Sequence, residues 1–254
     1  EPALVEARPL QSLWQRESPH LAETSGFDPN RDAGDTARRA DRPGPALAPE
    51  TFLVGPVRSQ LGNEAASGSM PPTRPALQAR LQPYLEADRT RSNTGELALD
   101  HRRGVATIDT PRTQGVAAHF AQAPEHQLSV LGLRSGNAFG ALLATSLDNL
   151  PLAESRSVLL QYATQSRPTG WQDRPVTLEL EGGGRAPGFE IVAHGQAPWQ
   201  VVQPDLDVRL RNDRLKRATP LDMNGMPQAD VPVQRSGGVL HLRFPPGTLY
   251  VLLR

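Results

Sequence analysis

The residues with the most potential for chemistry are five carboxylates that the sequence places near strand ends: Glu96, Asp100, Asp109, Asp148 and Glu154. Two carboxylates that face each other across a sugar ring, about 5 Å or about 6.5–9.5 Å apart, can cleave a glycosidic bond. Nothing in the spacing of these five along the chain pairs any two of them. Carboxylates beside turns usually cap backbone N–H groups or face solvent. The sequence therefore predicts no catalytic pair and leaves the catalytic residues unknown.

Other catalytic and metal-binding motifs are incomplete. The glycines beside Ser135 and Ser236 do not complete a Gly-x-Ser-x-Gly nucleophile motif. The six histidines form neither His-x-His nor His-x-x-x-His. The 28–39 segment begins like a calcium loop but has Ala33 where the loop needs glycine and Arg39 where it needs glutamate. We expect an Asx-rich turn there, and neither a bound metal nor a cofactor.

The polar segment Thr110–Gly115 lies between two stretches that alternate like strands. Pro111 lacks an N–H and should end the first strand, while Gly115 should allow a bend before the next one. Thr110, Arg112 and Gln114 could satisfy the backbone groups at this corner. The Arg112 guanidinium could also donate to a nearby carboxylate, such as that of Asp109 or Glu96. The alternative is a ligand contact made through Arg112 or Gln114.

One aromatic residue is a candidate for sugar stacking at the surface. Trp171 follows Arg167–Gly170, which we expect to form a turn. Trp199, Tyr162 and Tyr250 could also stack on sugars, but core packing is the more common role of aromatic side chains. The candidate ligand-binding residues are therefore Trp171, Arg112 and Gln114.

Composition limits the function classes. Acidic and basic residues number 27 each, so the chain lacks the basic excess of a typical nucleic-acid-binding protein. It has no cysteine, which excludes disulfides and thiolate metal sites and is compatible with a secreted or periplasmic location. No apolar run approaches the roughly 20 residues that a membrane-spanning helix needs. Because the chain starts at Glu1 without Met or a signal peptide, we expect a processed or truncated product.

The periodicities predict two regions. Residues 1–91 form an irregular N-terminal or linker segment with one short helix at Pro9–Arg16, a short strand at Phe52–Val57 and an exposed loop over 62–76. Residues 92–254 form an all-β domain, an antiparallel β-sandwich of the Greek-key or jelly-roll type. Its strands are predicted at 96–99, 104–109, 115–120, 128–133, 139–147, 158–164, 176–180, 189–192, 199–202, 206–210, 218–222, 231–234, 239–244 and 249–253.

The motifs together resemble the C-terminal region of large bacterial glycoside-hydrolase-like proteins of the planctomycete type. The matching stretches run in order along nearly the whole chain and include FDPNRDAG (27–34), FLVGPV (52–57), TGEL (94–97), IDTPRTQG (108–115), SLD (146–148), PLAESR (151–156), RPTGW (167–171) and APW (197–199). Such proteins carry a TIM-barrel catalytic domain before the β-sandwich, so the resemblance implies a barrel before residue 1. No eightfold β/α pattern lies within the chain itself.

The resemblance implies a non-catalytic accessory β-sandwich that is part of, or partner to, a glycoside hydrolase and stabilises its catalytic domain. The apolar residues of the 1–60 segment, among them Trp14, Phe27 and Phe52, would provide a docking surface. A carbohydrate-binding module that holds polysaccharide by aromatic stacking is the alternative, and a self-sufficient glycosidase is a third. Whether the chain is an enzyme is left open, and neither a membrane nor a nucleic acid is expected as a partner.

Overall fold

The computed structural model describes residues 4–8, 53–55, 57–61, 79–179 and 184–254. The chain divides into two compact units, 1–108 and 109–254. The sequence-based boundary between residues 91 and 92 stays a prediction. The helix predicted at Pro9–Arg16, the calcium-like turn and the loop over 62–76 lie outside the described residues.

The described residues of the first unit include short strands and a turn of 3-10 helix at Gln82–Tyr84. Its strands are β1 Leu4–Arg8, β2 Val57–Leu61, β3 Arg89–Arg91, β4 Leu97–Asp100 and β5 Val105–Asp109, whose last residue begins the second unit. β1 and β2 pair in parallel, while β3, β4 and β5 form an antiparallel meander. The strand predicted at Phe52–Val57 is wrong, because 54 and 55 form a bend and the strand begins at Val57.

The described residues of the second unit form twelve strands. They are β6 Thr113–Ala118, β7 Glu125–Gln127, β8 Leu131–Ser135, β9 Gly140–Ser146, β10 Val158–Thr164, β11 Ser166–Glu179, β12 Arg185–Val201, β13 Leu206–Arg211, β14 Ala218–Leu221, β15 Gln234–Ser236, β16 Val239–Arg243 and β17 Tyr250–Leu253. One sheet has the order β14-β17-β10-β9-β6, and the other has the order β15-β16-β13-β8-β7. Among the described residues, β11 and β12 pair only with each other.

The core of the second unit lies between its two sheets. Strand β13 alternates strictly, so that Leu206, Val208 and Leu210 are buried while the residues between them are exposed. Strand β10 shows the same period and buries Val158 and Leu160. A period of two with one apolar face is typical of a strand that covers a core on one side. The predicted all-β, antiparallel sandwich is therefore confirmed.

The strand predictions fail for two strands that do not bury one face against a core, β11 and β12. The prediction of a turn at Arg167–Gly170 is wrong, because these residues belong to the 14-residue strand β11. β12 has 17 residues and joins two separately predicted strands, Phe189–Val192 and Trp199–Val202. Both strands are largely exposed on their two faces, so their sequences lack the alternation that a half-buried strand requires.

Candidate functional site

The first part of the predicted corner, Thr110–Thr113, is a tight turn that closes on itself, and residues 113–115 belong to β6. The backbone N–H of Thr110 donates to the carbonyl of Thr113 at 3.0 Å. The Thr110 hydroxyl also donates to that carbonyl at 2.9 Å and accepts from the Thr113 N–H at 3.0 Å. Short hydroxyl side chains favour such local bonds to the backbone. The turn therefore needs no ligand to hold its shape.

Gln114 connects the corner to the opposite sheet. Its side chain is 2% exposed. Its Oε1 accepts hydrogen bonds from the N–H groups of Val130 at 3.1 Å and Leu131 at 2.9 Å, at the start of β8. Its Nε2 donates to the carbonyl of Thr110 at 3.5 Å. Both ends of the amide are thus engaged inside the sandwich, which supports the structural role of Gln114.

Arg112 lies on the surface of the same turn. Its guanidinium donates to Oδ1 of Asn149 at 3.2 Å. Within the described residues the exposed side chain thus contacts the neighbouring loop, in place of the expected Asp109 or Glu96. Its backbone is better anchored, since the Arg112 carbonyl accepts from the N–H of Ser146 at 2.9 Å.

Gly115 does not make the expected bend. It lies within β6 and is buried. A Cβ at this position would lie 2.7 Å from the Leu142 carbonyl oxygen and 2.8 Å from Cδ1 of Leu143 on the neighbouring strand β9. Glycine is needed here because two strands approach closely and not because the chain turns.

Asp148 organises the loop between β9 and β10. Oδ1 accepts from the hydroxyls of Ser146 and Ser155 at 2.8 Å each and from the N–H of Leu150 at 3.3 Å. Oδ2 accepts from the N–H of Arg156 at 2.7 Å. The bond from Arg156, and then those from the two serines, hold the pKa of Asp148 well below its ordinary value, although burial opposes part of the shift.

A second amide, Asn212, extends the same network and was not predicted from the sequence. Its Nδ2 donates to the carbonyls of Leu152 at 2.6 Å and Ser155 at 2.8 Å. The N–H of Leu152 in turn donates to the carbonyl of Pro111 at 2.7 Å. The sequence does hold a signal for this residue, because Asn212 continues the buried period of β13 two residues beyond Leu210.

Tyr162 holds the two sheets together near the other end of β10. Its hydroxyl donates to Oδ1 of Asn137 at 2.9 Å and lies 2.8 Å from Oγ of Ser135. Its ring packs against Phe244, with 5.8 Å between the ring centroids. Burial raises the pKa of Tyr162, and the hydrogen bond with Ser135 opposes that shift. The phenol therefore stays neutral and serves as a buried bridge.

The other candidate carboxylates have separate surroundings. Oδ2 of Asp109 accepts from the N–H of Ser129 at 3.1 Å and from its hydroxyl at 2.9 Å. Oδ1 of Asp109 is buried and accepts no hydrogen bond within the described part of the chain. Asp100 caps the N–H of Arg103 at 2.8 Å, and Glu154 is exposed.

Trp171 lies in β11, half-buried within the hairpin that β11 and β12 form. Its Nε1 donates to Oδ2 of Asp173 at 2.9 Å, and its ring meets His194 edge-on at a centroid distance of 6.0 Å. The guanidinium carbon of Arg167 lies 5.2 Å from the ring centroid, an arrangement that cation–π attraction stabilises. The ring already has protein partners on two sides.

Between Arg167 and Trp171 the hairpin bends at a pair of glycines. Gly170 and Gly195 face each other across the ladder and have φ of +79° and +64°. A Cβ on Gly195 would lie 2.5 Å from the Thr169 carbonyl oxygen and 2.7 Å from the Trp171 nitrogen. Only glycine fits this site, because both the backbone conformation and the space exclude a side chain.

The hairpin also carries most of the exposed apolar side chains of the described residues. Those at or beside its strands are Leu178, Phe189, Ile191, Val192, Trp199, Val201 and Val202, and those elsewhere are Leu147, Leu150, Met223 and Met226. Single apolar residues on a surface are ordinary, and only a contiguous apolar patch marks an interaction surface.

Comparisons with known proteins give no relative: no family model, no curated protein and no solved structure matches this chain. Among the described residues, no cluster of three or more His, Asp or Glu side chains could hold a metal ion. None of the helices in the described part of the chain is long and apolar enough to cross a membrane. The ligand-binding roles of Trp171, Arg112 and Gln114 stay predictions.

Proposed function

We propose that this chain is a non-catalytic accessory β-sandwich of, or partner to, a glycoside hydrolase, and that it packs against a catalytic domain and stabilises it. The proposal includes a secreted or periplasmic location. It rests on the resemblance of the sequence motifs and on one observation from the structure: Gln114 and Asp148, which lie in those motifs, direct their polar atoms to the protein's own backbone and hydroxyls.

The electrostatics of Asp148 argue against it as the general acid of a glycosidase. Glycoside hydrolysis needs a carboxylic acid that keeps its proton at working pH, so the pKa of that acid is raised. The pKa of Asp148 is instead lowered by the hydrogen bonds it accepts. The carboxylate is ionised and saturated with donors, and it has no proton to transfer to a leaving group.

An activity assay tests the first half of the proposal. The chain alone should release no reducing ends from a panel of plant and algal polysaccharides. Variants Glu96→Gln, Asp109→Asn and Glu154→Gln serve as controls. Turnover by the wild-type chain that disappears in any of these amide variants would contradict the proposal.

The coding sequence before Glu1 and its neighbouring genes test the second half. We expect them to encode a glycoside-hydrolase catalytic domain. That domain, expressed with and without residues 1–254, should unfold at a lower temperature without them. A catalytic domain with the same melting temperature in both forms would rule out a stabilising role.

The alternative is a carbohydrate-binding module, and the exposed aromatic residues of the hairpin favour it. Trp199 is 65% exposed and Phe189 is 71% exposed, and an open aromatic face can stack on a sugar ring. Affinity electrophoresis in polysaccharide gels tests this function. Retardation of the wild-type chain that is lost in Trp199→Ala or Trp171→Ala would select the carbohydrate-binding module over the accessory domain.

A further inference from the structure

The loop between β14 and β15 holds the one Asn-Gly pair of the chain. Of the seven asparagines in the sequence, only Asn224 is followed by glycine. The side-chain amide of an asparagine can react with the backbone nitrogen of the residue that follows it. Glycine has no Cβ and rotates freely about its backbone bonds, so it obstructs this reaction least. The pair therefore marks a position where the chain can modify itself.

Water reaches both residues of the pair. Asn224 and Gly225 are exposed, and Met223 and Met226 on either side of them are 67% and 62% exposed. Apart from the adjoining residues, no heavy atom lies within 4 Å of the position that a Cβ on Gly225 would take. Within the described part of the chain, the side-chain amide of Asn224 makes no hydrogen bond that would hold it in place.

The other described asparagines are less suited to this reaction. Asn137 and Asn212 are at most 7% exposed, and their amides donate to backbone carbonyls. Asn93 and Asn149 are exposed, but each precedes a residue with a branched side chain, threonine or leucine. Among the described asparagines, Asn224 is therefore the one that the fold leaves most open to attack.

The turn around Asn224 restrains the reaction. The Gly225 N–H donates to the carbonyl of Asp222 at 2.9 Å. Oδ1 of Asp222 accepts from the N–H groups of Asn224 at 2.9 Å and Met226 at 2.8 Å. The Gly225 nitrogen must lose its proton and turn toward the Asn224 side chain, so its hydrogen bond has to break first. Exposed loops open locally at little cost, and the Asp222 carboxylate raises that cost through its two charge-assisted bonds.

We propose that Asn224 is a site of spontaneous deamidation, and that the Asp222 carboxylate sets its rate by holding the turn closed. The deprotonated nitrogen of Gly225 attacks Cγ of Asn224 and forms a bond to it. The bond from Cγ to Nδ2 breaks, and Nδ2 leaves as ammonia together with the proton that Gly225 lost. Water then opens the cyclic imide at either of its two carbonyl carbons. The products are aspartate and isoaspartate, and the reaction needs no oxidant and no reductant.

The products should keep the turn from closing again. Aspartate at position 224 places a second negative charge beside Asp222, and like charges repel. Isoaspartate adds a carbon to the backbone, which displaces the N–H groups that Asp222 binds. The rest of the loop is held to β14 by bonds from Gln228 to the Pro220 carbonyl and from Val231 to the Ala218 carbonyl. The change should therefore stay at this edge of the sheet.

Peptide mapping of the whole chain measures the reaction. After incubation in mildly alkaline buffer, trypsin releases residues 218–235, in which Asn224 is the only asparagine. Mass spectrometry gives the deamidated fraction, and enzymatic methylation of isoaspartate identifies that product. We expect Asn224 to react before the other described asparagines, and Asn224→Ser to remove the modification from this peptide. Another described asparagine that reacts sooner, or Asn224 that stays intact after a synthetic 218–235 peptide has reacted completely, would overturn the proposal.

Variants of Asp222 test the restraint on the rate. Asp222→Ala should speed the reaction at Asn224 at least about fivefold, because the turn loses two hydrogen bonds to a charged acceptor. Asp222→Asn keeps an acceptor oxygen and should speed it less. Asp230→Ala is the matched control, because this carboxylate lies in the same loop but accepts from the Thr219 hydroxyl, and it should react like the wild type. Equal rates in Asp222→Ala and the wild type would overturn the role of Asp222.

Discussion

Replacing Gln114 by methionine should test whether the Thr110–Gly115 corner is architecture. Methionine keeps the length of the side chain but can neither accept from the Val130 and Leu131 N–H groups nor donate to Thr110. The Leu131 hydrogen bond is buried, so its orphaned N–H should cost about 1–3 kcal/mol, whereas water can partly replace the bond to the half-buried Val130.

The two losses together should lower the free energy of unfolding by about 2–4 kcal/mol. For a unit of this size each kcal/mol shifts Tm by about 2–4 °C, so Tm should fall by roughly 4–16 °C. Gln114→Glu keeps the acceptor for both N–H groups but buries a charge, so it should also be destabilising, and more so at neutral pH than in mild acid.

Thermal unfolding followed by circular dichroism and by calorimetry measures the effect. Gln172→Met is the control, because it makes the same change at an exposed position of β11. The reasoning is refuted if Gln114→Met melts within about 1 °C of the wild type. If that variant also loses retention on polysaccharide gels, then Thr110–Gly115 is a ligand site.

Three further changes separate the structural roles of other residues. Since folding lowers the pKa of Asp148 below its ordinary 3.8, the carboxylate stabilises the fold above that pH and loses this effect as the pH falls through the folded pKa. Asp148→Asn should thus lower Tm at neutral pH. In a pH series, the difference in Tm between the wild type and this variant should become smaller below about pH 4. A difference in Tm that does not change with pH would contradict this. Arg112→Ala should shift Tm by no more than about 2 °C, because the side chain is exposed and makes one hydrogen bond; a loss as large as that of Gln114→Met would restore a structural role for the guanidinium. Gly195→Ala should speed hydrogen exchange in the hairpin more than Gly170→Ala, whose nearest contact is 3.9 Å away; equal exchange in both would contradict the steric argument.

Sequence periodicity predicted the strands that cover the core. The predicted strand Val158–Thr164 matches β10 at both ends, and β13 and β16 differ from their predictions by one residue. These strands bury one face, and burial leaves an alternating pattern in the sequence. The strands of the β11–β12 hairpin bury neither face, so their sequences need not alternate. Only parts of these strands were therefore predicted.

The candidate site was predictable in part for the same reason. Gln114 precedes Val116 and Ala118 at intervals of two, a spacing that places its amide on the buried face of β6. The sequence did not predict whether the Arg112 side chain is buried or exposed. Arg112 lies in a turn, where the alternation of a strand does not fix the direction of the side chain. The donors around Asp148 come from backbone and hydroxyl groups up to eight residues away, and only the folded loop brings them together.

The position of the tryptophans makes the hairpin an optical reporter. The chain has three, of which Trp171 and Trp199 lie in the β11–β12 hairpin and Trp14 lies outside the described residues. In a Trp14→Phe background, fluorescence excited at the indole band would follow the hairpin alone, while far-ultraviolet circular dichroism would follow the sheets. Coincident transitions by the two probes would indicate that hairpin and sandwich unfold as one cooperative unit. A fluorescence transition at a lower temperature than the circular dichroism transition would show that the hairpin unfolds separately. The hairpin could then be unfolded while the core of the sandwich stays folded.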